Sequence, residues 1–135
     1  MLHGLVDPDA SEAAEQALSW LVMAGPMRIS TVMPAVLPFL LRLTADPTVP
    51  CRDKLFDLVL VAAALSEPVD PDNPWDLAIS GPEAEHPERS LCRAAFEANA
   101  QWVRRLLTDD RLPAGEPLGE DERATLLRAA GLPPA

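Results

Sequence analysis

Residues 38–65 read PFLLRLTADPTVPCRDKLFDLVLVAAAL, and this stretch decides the fold class. Leucines recur at helical spacing up to residue 43, and the turn-forming residues 46–50 interrupt them. Between residues 55 and 65 only Asp57 is charged, so the segment after the turn is apolar nearly all round. The stretch therefore predicts two packed helices, the second of which lies at the centre of the domain.

Caps, prolines and apolar spacing predict the other helices. A first helix is expected from Asp7 or Asp9 to Gly25, and the helix from about residue 31 to residue 45 is expected to kink or break at Pro38. Two more are expected over residues 87–108 and 120–130. No segment alternates with period two, so residues 1–135 are predicted to form one compact all-α domain of four to five helices.

The order of residues from 38 to 52 resembles a HEAT repeat, with a leucine-rich first helix, an Asp-Pro turn and an arginine that opens the second helix. The six-residue separation of Asp46 and Arg52 matches that family's pattern. The resemblance implies an array of helical hairpins in which Asp46 and Pro47 form the turn and Arg52 pairs with an acid of a neighbouring repeat. These three residues are therefore expected to be structural, and a second copy is expected near residues 102–110.

Most of the net charge of −10 falls in one segment. Residues 67–88 hold seven acids and no base, whereas residues 89–135 hold seven of each. Five prolines in residues 67–88 exclude a long helix. The sequence therefore predicts a long, acidic, proline-rich insertion loop.

Charge and hydropathy limit the classes of partner and the cellular compartment that are expected. A strongly negative field repels phosphate backbones and anionic lipid, so neither nucleic acid nor a membrane is expected as a partner. The longest uncharged apolar run, residues 58–65, is too short to span a bilayer. The first twenty residues contain no Lys or Arg, unlike a secretory signal, so a cytoplasmic protein with free Cys51 and Cys92 is expected.

The sequence contains none of the common catalytic motifs, whether a glycine-rich phosphate loop, a Gly-x-Ser-x-Gly or a His-Glu-x-x-His. His3, His86, Cys51 and Cys92 are not paired at the short spacings of metal sites, so no metal or cofactor is predicted. Both cysteines lie near predicted helix N-termini, where reactive thiolates arise, but packing is the simpler interpretation. A non-catalytic protein is therefore expected.

Trp75 lies within the acidic segment and has two interpretations. In the first, Trp75, Leu77 and Ile79 fold back and fill a gap over the central helix. In the second, Trp75 is an exposed anchor within an acidic rim, the composition of an interface hot spot. The second interpretation predicts a partner-binding set comprising Asp70, Asp72, Trp75, Asp76, Glu83 and Glu85.

The sequence favours a protein-interaction module that binds a basic protein partner, for example as an immunity protein or inhibitor that covers a basic active site. One alternative is a structural subunit that associates through apolar faces around Trp20, Leu21 and Trp102. Another is a ligand-binding helical domain or an enzyme with an unrecognised site. The sequence leaves the oligomeric state open.

Overall fold

Helices dominate the chain in the computed structural model, which describes residues 2–25, 28–108 and 118–134. These residues form seven α-helices, more than the four to five predicted, together with a two-stranded sheet. The helices are α1 (Ser11–Val22), α2 (Met33–Thr44), α3 (Arg52–Leu65), α4 (Pro74–Ser80), α5 (Pro87–Ala98), α6 (Ala100–Thr108) and α7 (Glu120–Ala129). The prediction of a mostly helical protein is confirmed.

The N-terminal region differs from the prediction at both ends of its helix. A short 3-10 helix, Leu2–Val6, comes first, and α1 begins only at Ser11 because the Asp7 carboxylate accepts a hydrogen bond from the Asp9 N–H and stabilises a turn there. After α1 the chain forms β1 (Met23–Gly25), which pairs antiparallel with β2 (Arg28–Ile29). Strands of three and two residues are too short to show an alternating pattern in the sequence.

Helices α2 and α3 form the hydrophobic centre. The sequence predicts a kink or a break at Pro38, and α2 continues through this residue without a break. Leu37, Leu40 and Leu41 are fully buried. Helix α3 packs against α1, α2, α5 and α7, which confirms its predicted central place. Its buried residues are Leu55, Phe56, Leu58, Val59, Ala62 and Ala63.

The helix predicted over residues 87–108 is two helices, because the chain breaks at Asn99. The Asn99 N–H bonds the carbonyls of Ala95 and Phe96, and its side-chain amide also donates to the Ala95 carbonyl at 2.8 Å. Asparagine side chains compete in this way for backbone groups and favour helix ends. Helices α5 and α6 still bury Cys92, Phe96 and Val103.

Residues 67–88 are not a loop throughout, which corrects the prediction. They contain α4 and a short 3-10 helix, Glu83–Glu85. Pro74 occupies the first turn of α4, where a missing N–H costs nothing, and Pro82 follows its end. The prolines therefore delimit a short helix, although they do exclude a long one.

The predicted second repeat extends to Asp109 and Asp110, which lie outside the described residues. Helix α7 follows the undescribed segment and packs against α3, α5 and α6. Its start is stabilised by Glu122, whose carboxylate accepts a hydrogen bond from the Gly119 N–H at 3.0 Å. None of the helices in the described ranges is long and apolar enough to cross a bilayer.

Candidate functional site

An ion pair fixes the acidic segment, residues 67–88, against the helical core. The Arg93 guanidinium, on α5, donates both to the Glu83 carboxylate and to the Ser66 carbonyl, the latter at 2.6 Å. The other oxygen of Glu83 accepts the N–H of Val69, a buried residue, at 3.1 Å. Glu83 and Arg93 thus join the start of the segment to its later part and to α5.

The surroundings of Glu83 favour its charged form. Burial alone would raise the pKa of Glu83, but the hydrogen bonds from Arg93 and from the Val69 N–H, with the positive charges of Arg93 and Arg89, outweigh it. The pKa therefore lies below the ordinary value. Glu83 is ionised at neutral pH and is engaged within the protein.

The end of α4 is held by a second group of contacts. Arg89, itself buried, donates to the Ser80 carbonyl at 3.0 Å. Gly81 follows with φ of 73°, a left-handed conformation that glycine adopts without steric cost. His86 and Glu88 contact each other at 3.1 Å beside this turn. The position of α4 is thus set at both ends.

Side chains of the acidic segment also satisfy its backbone at the start of α4. The side-chain oxygen of Asn73, Oδ1, accepts hydrogen bonds from the N–H groups of Trp75 and Asp76 and so caps the helix. Asp76 accepts the Asp70 N–H at 2.8 Å, and Asp70 in turn accepts the Asp72 N–H at 2.9 Å. Two of the predicted binding carboxylates therefore also stabilise the local fold.

The outer face of α4 exposes two large apolar side chains. Trp75 is 78% exposed and Ile79, one helical turn later, is 73% exposed. The interpretation in which they fill a gap over α3 is therefore wrong, since only Leu77 turns partly inward. In a seven-residue helix tied down at its ends, positions i and i+4 lie on one face, and here that face is directed to solvent.

We call this apolar pair the Trp75–Ile79 knob. The predicted binding residues fall into two groups. Asp70, Asp72 and Glu85 are exposed, and Asp76 is half-buried at the edge of α4. Glu83 belongs to the internal ion pair instead. Ile79 was not in the predicted binding set; its spacing from Trp75 signals it only once a helix is assumed.

The residues of the predicted repeat turn have structural contacts. Asp46 accepts the backbone N–H and the hydroxyl of Thr48 at 2.9 and 2.7 Å, and these bonds lower the pKa of Asp46, as does the charge of Arg52. Pro47 is exposed in the same turn. The Arg52 Nε–H donates to the Thr44 carbonyl at the end of α2. Asp46 and Arg52 therefore stabilise the α2–α3 connection from both sides.

A second surface feature is an apolar groove of about 570 Å³ between α1, β1 and α3. Trp20, Met23, Leu58 and Val61 line it, and Trp20 is 85% exposed. We call it the Trp20 groove. Trp102 instead lies in a separate concavity beside Arg42 and Pro47, so the apolar faces predicted around Trp20 and Trp102 are two separate surfaces.

The two thiols differ in their surroundings. Cys92 is fully buried, and desolvation, aided by the negative charge of Glu88, raises its pKa to about 12. Cys51 is half-buried, and its sulfur lies 3.2 Å from the Ser11 hydroxyl. Packing is therefore the role of Cys92. Within the described part of the chain, no three His, Cys, Asp or Glu side chains are grouped as metal ligands.

Comparisons with known proteins assign this chain to no family. No protein-family model matches the sequence, and neither the curated proteins nor the solved structures include a significant match.

Proposed function

We propose that this domain is a non-catalytic protein-binding module that uses the Trp75–Ile79 knob and the surrounding carboxylates to bind a basic protein. One observation carries the proposal: two large apolar side chains are exposed on the outer face of a helix that is fixed at both ends. Contiguous apolar groups exposed inside a polar rim are typical of interaction sites. A fixed position also lowers the entropy cost of binding.

The apolar side chains and the acids are expected to contribute to binding in different ways. Burying each of the two apolar side chains contributes about 2 kcal/mol. The exposed acids contribute less affinity, but they raise the association rate with a positive partner and disfavour acidic ones. The most concrete form of the proposal is an immunity-type protein or inhibitor that covers a basic active site. In such a complex the apolar anchor packs against the partner and the acids face its positive charges.

We further propose that α2 and α3 are a divergent HEAT-like helical pair. Support comes from the Asp46 turn, in which the carboxylate accepts the Thr48 N–H, and from Arg52 at the start of the second helix. The Arg52 bond to Thr44 gives this arginine a role within the pair. On this proposal the pair is the scaffold and the acidic segment is the binding element.

Quantitative affinity capture from the source organism's lysate tests the function. Three baits are compared: the natural protein, Trp75→Ala/Ile79→Ala, and a control with two exposed acids removed elsewhere, Asp9→Asn/Glu97→Gln. We expect one basic protein to bind the natural and control baits and to be lost with the knob variant. Equal capture by all three baits, or capture of acidic proteins only, would contradict the proposal.

A further inference from the structure

The Trp20 groove has a defined floor. Leu58 and Val61 of α3 form that floor, and Trp20 and Met23 form the wall contributed by α1 and β1. Helix α1 runs alongside α3 in the same direction, since Ser11 contacts Cys51, Glu12 contacts Lys54, and Trp20 lies with Val61. Two parallel helices with an apolar furrow between them present the shape that receives a third helix.

Next to the apolar floor, α3 carries an exposed acid. Asp57 lies one helical turn before Val61, on the same exposed side of the helix. Partial burial raises the pKa of Asp57, and the negative charges of Asp53, Glu122 and Glu15 raise it further. Carboxylates of α1, α3 and α7 thus disfavour the charge of Asp57, and a positive charge placed beside Asp57 would favour it.

We propose that the Trp20 groove is a second docking site, distinct from the Trp75–Ile79 knob, and that it binds a basic amphipathic helix. Apolar side chains of that helix contact Trp20, Leu58 and Val61. A lysine or arginine about one turn away faces Asp57 and its acidic neighbours. This proposal does not depend on the function proposed for the knob, because the two surfaces share no residue.

A second copy of the chain is a poorer occupant of the groove. Its two most exposed apolar surfaces, the Trp75–Ile79 knob and the rim around Trp20, both adjoin carboxylates. Docking either of them would bring acids towards the cluster around Asp57, between molecules that each carry a charge of −10. Charge complementarity therefore selects a basic partner.

The probe is a synthetic amphipathic peptide of leucine and lysine, about 15 residues long so that a helix can form on binding. A peptide in which every lysine is replaced by glutamate is the control. Binding is measured by calorimetry, and the bound site by chemical-shift changes of assigned methyl and indole groups. We expect the Leu–Lys peptide to shift Trp20, Met23, Leu58 and Val61, and the Leu–Glu peptide not to bind.

Three variants locate the site. Trp20→Ala should weaken Leu–Lys binding at least about tenfold, because Trp20 is the largest anchor. Asp57→Asn should weaken it about threefold without lowering stability, since it removes a repelled charge. Trp75→Ala/Ile79→Ala should leave the affinity unchanged, and this variant separates the two proposals.

Several outcomes would overturn the inference. Unchanged affinity in Trp20→Ala, equal binding of both peptides, or loss of binding only in the knob variant would each remove the groove as the site. A concentration-dependent dimer in sedimentation experiments that Trp20→Ala abolishes would assign the groove to a second copy instead.

Discussion

The ion pair between Glu83 and Arg93 determines which acids of the segment are available at the surface. Their contact, with the Val69 N–H on the second carboxylate oxygen, joins residues that are far apart in the sequence. The sequence predicts that Glu83 belongs to the binding surface, because it is an acid in an acidic stretch. The structure uses it to hold that stretch, and no local pattern in the sequence distinguishes these two uses.

Replacement of Glu83 tests this contact. Glu83→Gln should lower the free energy of unfolding by about 1 kcal/mol at neutral pH, since the pair is partly exposed. The folded-state pKa lies below the ordinary value of 4.5, so the stabilisation is present above that pH and is lost as pH falls through the folded-state value. Urea denaturation of both proteins at neutral pH and at about pH 3 measures it. A difference in stability that persists unchanged at the lower pH would contradict the assignment.

The two cysteines give a second test at this scale. Cys92, with a pKa of about 12 and no exposed surface, should resist iodoacetamide in the native protein at pH 8. Cys51 is half-buried and should react first. Mass spectrometry of the labelled protein should find one modified cysteine before denaturant is added and two afterwards. Rapid native labelling of Cys92 would show that the α5 packing described above is wrong.

Helix α4 marks the limit of prediction at the scale of elements. The helix α3 and the turn before it can be predicted, because a long buried segment produces a strong apolar pattern in the sequence. Helix α4 was missed because prolines dominate residues 67–88, and β1 and β2 were missed because they are too short. The break at Asn99 went unseen because apolar spacing continues on both sides of it.

The Asn73 side chain caps the start of α4. Asn73→Ala removes the acceptor for the N–H groups of Trp75 and Asp76 and should destabilise α4 by about 1 kcal/mol. Amide hydrogen exchange should accelerate in α4, while α3 and α5 remain protected. Asn73→Ser retains an acceptor and should restore most of the protection. Equal exchange rates in the Asn73→Ala and natural proteins would mean that packing, not the cap, maintains the helix.

In the whole molecule, the acidic segment that holds most of the net charge also exposes the apolar Trp75–Ile79 knob. Some acids of residues 67–88 form ion pairs within the chain, such as Glu67 with Arg128 and Glu83 with Arg93, whereas the side chains of Asp72 and Glu85 are exposed. The net charge of −10 thus overstates the charge that a partner meets directly, although the long-range field persists. Composition alone identified the acidic segment but not which of its acids face outward.

The affinity of the captured basic partner, measured at about 50 and 300 mM salt, tests whether the knob and the exposed acids form the binding surface. We expect the natural protein to bind this partner with an affinity that falls as the salt concentration rises. We also expect Trp75→Ala/Ile79→Ala to lose at least about tenfold in affinity at both salt concentrations, because the anchors are apolar. An affinity that is independent of salt and unchanged in the knob variant would contradict the proposal.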